Sequence, residues 1–118
     1  MPRAVDGTRR KDHRKKILKQ AKGYWGRRSK LYRTAKDAVA KSLTYAYRDR
    51  KVRKRDFRAL WITRISAGCR AEGMSYSRFM NGLKRANVQI NRKALSNLAI
   101  EDREAFNELV SKARSALD

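Results

Sequence analysis

From Arg27 to Ala67 the sequence runs for 41 residues without a glycine or a proline. The stretch is rich in Lys, Arg, Ala and Leu, so helix is its low-energy local conformation. At 1.5 Å rise per residue it makes a rod of about 60 Å. That is longer than the helices of ordinary globular domains, so the rod needs something outside itself to lie against. It is expected to overrun Gly68 and to end near Gly73, whose lack of a Cβ suits a left-handed C-terminal cap.

The rod changes character midway. At 100° per residue from Arg48, the cations Arg48, Arg50, Lys51, Arg53, Lys54, Arg55 and Arg58 occupy an arc of roughly 220°. Asp49, Val52, Asp56 and Ala59 remain on the other side, and no apolar stripe exists there. One turn later Phe57, Leu60, Trp61, Ile65 and Gly68 line the side that Arg50, Arg53 and Lys54 occupied. The first stretch cannot face a protein core; the second is expected to.

Elsewhere glycines and capping residues punctuate the chain. Met1 to Gly7 has no period and reads as an irregular arm. Thr8 or Asp6 can cap a helix to about Lys22, which Gly23 and Gly26 stop. Ser75 can cap a helix through about Ala86, with Phe79, Met80 and Leu83 apolar at helical spacing. Asn91 can cap another, with Leu95, Leu98 and Ala99 inward, and Asp102 a third, bearing Phe106, Leu109, Val110, Ala113 and Leu117 on one stripe. The fold class is therefore all-α: an extended basic N-terminal arm and a long helix lead into a small C-terminal helical domain. The division falls at 1–58, a basic extension, and 59–118, a compact helical domain with Trp61, Phe79 and Phe106 in its core. That second part is near the lower size limit for folding alone and is expected to do so.

Charge follows the same division. The 118 residues carry 32 Lys and Arg against 11 Asp and Glu, net +21, with a pI near 11.1 and a mean hydropathy of −0.87. Residues 1–58 hold 22 of the cations and 5 acids, while 59–118 hold 10 and 6. Self-repulsion at that density opposes collapse, so the first half is expected to lack an interior and to take a fixed shape only when a polyanion surrounds it. Nucleic acid is the default partner.

Other functions find little to stand on. The longest uncharged stretch, Ala94 to Ile100, has seven residues, against the roughly 18–20 apolar residues of a spanning helix. No secretory signal is apparent, and the expected location is cytosolic. One cysteine, Cys69, and one histidine, His13, make no zinc site, so neither a metal nor another cofactor is expected, nor a membrane or small-molecule partner. His13 sits among Arg10, Lys11, Arg14, Lys15 and Lys16 and reads as a solvated or phosphate-facing residue rather than a catalytic one. Asp49 and Asp56 read as intrahelical partners of Arg53, and Glu101, Asp102 and Glu104 as anions at a helix N-terminus. Cys69 reads as a small buried hydrophobe, Met74 and Met80 as gap-fillers. No nucleotide-binding glycine motif occurs and no acid–base pair stands out, so no enzyme is expected.

A charge run is often only a solubilising surface. Here unmatched cations extend over nearly 60 residues, and the abundant Arg side chains present planar forks that suit phosphate oxygens. Phosphate contacts are expected from Arg3, Arg9, Arg10, Arg14, Lys15, Lys16, Lys19, Lys22, Arg27, Arg28, Lys30 and Arg33, and from the series Arg48, Arg50, Lys51, Arg53, Lys54, Arg55 and Arg58. Tyr24 and Trp25, between two glycines, are placed to meet bases or sugars, as is Tyr47. Tyr32 reads instead as packing with Leu31 and Ala35.

These residues also carry a resemblance. Met1-Pro2-Arg3, Ala21-Lys22-Gly23-Tyr24 followed by Gly26, Tyr45-Ala46-Tyr47-Arg48-Asp49-Arg50-Lys51, and Arg53-Lys54-Arg55-Asp56-Phe57-Arg58 with Leu60-Trp61-Ile62 resemble the bacterial large-subunit ribosomal protein L20 family. Arg64-Ile65, Ser75-Tyr76-Ser77-Arg78-Phe79, Gly82-Leu83-Lys84 and Asn91-Arg92-Lys93 continue it over essentially the whole chain. The family usually has further basic residues where Ala4, Val5 and Asp6 stand, and often a proline at Arg103. The resemblance implies a basic extension threaded into ribosomal RNA, a helical domain at the subunit surface, and early large-subunit assembly through 23S ribosomal RNA beside neighbouring large-subunit proteins. It also implies, for some members, repression of their own messenger. A DNA-compacting protein is the rival that shares the charge, but no dimerising heptad seam or minor-groove wedge appears.

Overall fold

A run of good helix formers becomes a helix only between residues that satisfy its open ends. The computed structural model describes residues 7–118 and among them shows five α-helices and no strand. The helices are α1 (Arg9–Gln20), α2 (Tyr32–Ala71), α3 (Tyr76–Arg85), α4 (Arg92–Glu101) and α5 (Arg103–Leu117), with a short 3-10 turn at Gly26–Ser29 between the first two. The expected arm over residues 1–6, with Arg3 and the Asp6 cap, lies outside the described residues. The chain forms two compact units, Met1–Lys51 and Val52–Asp118.

Two boundaries differ from expectation. Helix α1 stops at Gln20, where Ala21 is the C-cap. The long helix begins at Tyr32 rather than Arg27, because residues 26–29 are spent on the 3-10 turn. Gly26 adopts φ +60°, and the Ser29 hydroxyl donates to the Gly26 carbonyl at 3.0 Å. Such local side-chain bonding offers the backbone an alternative to the helix.

In the first unit, Ala21, Ala35 and Val39 are buried, with Ile17, Leu18 and Tyr24 partly packed over them. The expectation that residues 1–58 have no interior is thereby corrected. Ala35 and Val39 are four apart and share one face of α2, and small side chains let the end of α1 approach it. Two of the three buried residues are alanines, so this interior contributes only about 3–5 kcal/mol.

The second unit has a fuller core. Ile65, Cys69, Met74, Phe79, Leu83, Leu95, Phe106, Leu109, Val110 and Ala113 are buried together, and Met80, Leu98, Ala99 and Leu117 pack against them. The Phe79 and Phe106 rings lie 5.3 Å apart at 44°. All three expected caps form: Ser75 accepts from the Arg78 amide at 3.4 Å, Asn91 from Ala94 at 2.8 Å and Asp102 from Ala105 at 3.1 Å. Helix α2 closes as expected at Gly73, φ +72°. The Met74 amide bonds the Cys69 carbonyl and the Gly73 amide that of Arg70, both at 3.0 Å, the paired bonds of a left-handed helix cap. Asn87, φ +58°, ends α3 in the same way, with Val88 donating to Leu83 at 2.9 Å.

Trp61 is the correction here. It lies outside the buried core and stacks on Phe57, while Phe57 and Leu60 are 47% and 40% exposed. Helical spacing gave these residues the same face as Ile65 and Cys69, but only the last two lie far enough along α2 to be covered.

Candidate nucleic-acid interface

The first unit places its cations outward. Arg9, Arg10, Arg14, Lys15, Lys16 and Lys19 on α1, Lys22, Arg27, Arg28 and Lys30 in the connection, and Arg33 on the first turn of α2 are all exposed. This follows from composition: the face of α1 that packs, through Ile17 and Leu18, is narrow, and charged groups take the rest because burial without partners is costly. Arg48, Arg50 and Lys51 close the first unit and Arg53, Lys54, Arg55 and Arg58 open the second, again exposed.

Aromatic rings stand among these cations. Gly23, φ +88°, and Gly26, φ +60°, bracket a turn in which Trp25 is extended and 88% exposed. Tyr24, expected like Trp25 to meet bases or sugars, packs partly on the small interior. The two line a cleft of about 760 Å³ with Arg28, Arg33, Thr34, Asp37, Ala38, Lys41, Ser42 and Tyr45. Three cations face one carboxylate there, so the cleft carries a net positive charge. Its volume falls in the range of small-ligand clefts, roughly 300–1,000 Å³.

Further along α2, cations cover the ring faces. Lys41 Nζ lies 5.1 Å and the Arg48 guanidinium 4.7 Å from the Tyr45 ring centre. Lys51 Nζ sits 4.4 Å from the Tyr47 ring centre and donates to its hydroxyl at 2.8 Å. Tyr32 is half-buried, beneath Arg14 at 5.3 Å and edge-on to the exposed His13 at 6.3 Å, while Leu31 beside it is 48% exposed. Such pairs hold flexible cations in place and cost little when exposed.

Two acidic readings separate at this point. Asp49 accepts from Arg48 Nε at 2.8 Å rather than from Arg53, and this bond holds the Arg48 guanidinium above its ordinary pKa. Glu101 and Glu104 flank the Asp102 cap and are exposed. Cys69 is fully buried, and burial pushes its thiol up to about 11. Among the described residues no three His, Cys, Asp or Glu side chains gather as metal ligands, and no helix is long and apolar enough to cross a membrane.

The structure brings Tyr24, Trp25, Arg28 and Arg33 into one cleft and leaves the other expected contacts among the described residues exposed on α1, on the connection that follows it and on α2. Lys41, Tyr45, Thr34 and Ser42 are cleft residues that sequence reasoning missed. The signal was present in the Lys41–Tyr45–Arg48 spacing of four and three, which puts both cations over one ring.

Residues 3–109 match the sequence profile of ribosomal protein L20. The chain is 61% identical over 118 residues to the large ribosomal subunit protein bL20 of Thermoanaerobacter sp. (strain X514), covering 100% of this chain and 99% of the relative. It is 60% identical over 117 residues to the protein of the same name from Staphylococcus carnosus (strain TM300), covering 99% of each. It is 60% identical over 110 residues to that from Hydrogenobaculum sp. (strain Y04AAS1), covering 93% of this chain and 95% of the relative.

Proposed function

The chain belongs to the ribosomal protein L20 family, and on that premise we propose that it is a structural protein of the large ribosomal subunit that binds 23S ribosomal RNA and promotes early assembly. Ribosomal RNA and neighbouring ribosomal proteins are its partners, and the bacterial cytoplasm is its location. It acts as a scaffold rather than an enzyme. The observation that carries this reading is the uninterrupted exposure of cations along α1 and α2, with aromatic rings fixed among them.

The mechanism follows from electrostatics. RNA helices in a nascent subunit repel one another. A cationic helix lying between them neutralises phosphates of several strands at once and releases their counterions. Arg9, Arg10, Lys15, Lys16, Lys19, Lys22, Arg27, Arg28 and the series Arg48 to Arg58 supply backbone contacts, which position without reading sequence. Trp25, with Tyr24 behind it and Arg28, Arg33 and Lys41 around it, offers an unpaired base a ring to stack on and cations for its phosphate. The proposed division of labour is residues 1–58 embedded in RNA and 59–118 anchoring them by shape.

With about ten phosphates engaged, affinity for 23S fragments falls by several orders of magnitude between low and moderate salt. Competition between such fragments and duplex DNA tests the reading. Preference for the RNA supports it; equal affinity favours a DNA-compacting protein, and a complex insensitive to salt contradicts both.

A further inference from the structure

Helix α2 carries a second aromatic surface whose occupant the preceding function leaves open. Phe57 and Trp61, one turn apart, stack with ring centres 6.2 Å apart at 30°. Together with Leu60 and Arg64 they form one wall of a groove of about 360 Å³, and Lys93 and Asn97, one turn apart on α4, form the other. All six residues belong to the second unit. Their arrangement is unlike the core beneath: Phe57 and Leu60 are about half exposed, whereas Ile65, further along α2, is fully buried.

We infer that this groove takes an unpaired base of RNA, stacked on Trp61 and Phe57, with its phosphate held by Arg64 and Lys93. Three observations select that occupant. The walls carry two cations and no carboxylate, which matches an anion and disfavours an acid-free apolar peptide. The exposed cations Arg53, Lys54 and Arg58 lead along α2 to the groove, so a phosphate backbone following them arrives at the rings. Asn97 brings an amide with both donors and an acceptor, the complement of a base edge. Stacking is available to any base because each has a π face, while paired bases keep theirs covered. The inference rests on the RNA-binding reading above but is separable from it, since it predicts a preference for unpaired bases that phosphate contacts alone do not produce.

The test uses the full chain and two labelled RNAs, a fully paired hairpin and the same hairpin interrupted by a bulge of unpaired adenines, with binding followed by fluorescence anisotropy. Trp61→Ala is expected to weaken binding of the bulged RNA about tenfold, the scale of one lost base–aromatic stack, and to change binding of the paired RNA less than twofold. Trp61→Phe restores most of the loss. An equal effect on both RNAs, or no effect on either, overturns the inference. Should the alanine variant lose helicity by circular dichroism, the deciding measurement is Trp61 emission in a Trp25→Phe chain. Quenching by the bulged RNA beyond that by the paired RNA supports stacking, and equal emission with both refutes it. A dimer of the RNA-free chain that Trp61→Ala converts to monomer, with bulged-RNA affinity unchanged, makes the groove a self-association face and likewise refutes it. If the natural chain binds neither RNA, the RNA-binding reading falls, and this inference with it.

Discussion

Gly82 lies inside α3, where a glycine is normally a weakness relative to alanine by about 1 kcal/mol. Here its missing side chain is what allows α3 to approach α5. A Cβ at this position would meet the Ala113 carbonyl oxygen at 2.5 Å, its Cβ at 2.7 Å and its carbonyl carbon at 2.8 Å. Ordinary contact needs about 1 Å more, and the obstruction is backbone, which cannot swing aside. Gly82→Ala therefore forces the two helices apart and loosens Phe79 against Phe106 and Leu83 beneath them. Overpacking of this kind costs about 1–3 kcal/mol, and a backbone clash belongs in the upper half of that range. Subtracting the helix-propensity gain leaves a net loss of about 1–2 kcal/mol.

The loss is measurable by thermal unfolding of the full chain at 222 nm. For a domain of this size about 1 kcal/mol shifts Tm by roughly 4–8 °C, so Gly82→Ala should melt about 5–15 °C lower. Gly68→Ala is the internal comparison. Its Cβ would meet the Phe106 ring at 2.8 and 3.2 Å, and a ring edge can tilt where a carbonyl cannot, so its loss should be smaller. The reasoning is refuted if Gly82→Ala melts at or above the parent, or if Gly68→Ala costs more.

Three further outcomes are expected. Ser96 is fully buried on α4 and its hydroxyl has no hydrogen-bond partner; Ser96→Ala removes that unsatisfied group and should stabilise the chain by about 1–2 kcal/mol in a urea titration. The Cys69 thiol is held neutral by burial, its pKa raised from 9.0 to about 11. Because the folded value is the higher one, its contribution to stability is complete below pH 9 and lost as pH rises through about 11. The stability difference between the parent and Cys69→Ala should accordingly be flat to pH 9 and shrink above it, and the thiol should resist a disulfide reagent at pH 8 until the chain unfolds. Finally, hydrogen exchange of the RNA-free chain should leave α3 and α5 protected while α1 exchanges rapidly, since its interior is so small; protection of α1 equal to that of α5 contradicts the electrostatic argument.

The second unit was legible in the sequence almost residue by residue. Ser75, Asn91 and Asp102 each cap the helix that follows them, and the apolar stripes of α3 and α5 pack as their spacing requires. Caps and stripes are local properties of a helix, so local pattern suffices to find them. Less legible were features that depend on the meeting of distant segments. Nothing in the run around Gly82 indicates that Ala113 lies against it, and nothing in Arg27–Leu31 shows that Gly26 and Ser29 close a 3-10 turn before the long helix begins. The cleft at Trp25 was half visible: the turn between two glycines could be read, but its far wall of Lys41 and Tyr45 comes from a helix almost twenty residues on.

Trp61 shows most clearly where pattern reading stops. An apolar stripe states which face of a helix avoids water, and protein core and nucleobase both satisfy that demand. On α2 the stripe runs from Phe57 to Cys69, but its side chains are fully buried, in the core shared with α3, α4 and α5, only from Ile65 onward. The earlier turn carries stacked rings, and the groove they line holds Arg64 and Lys93 and no carboxylate. In a chain whose partner is a polyanion with exposed π faces, the same hydrophobic spacing thus serves two ends of one helix differently: it builds a core at its C-terminal turns, and one turn earlier it offers a surface that an RNA base can complete.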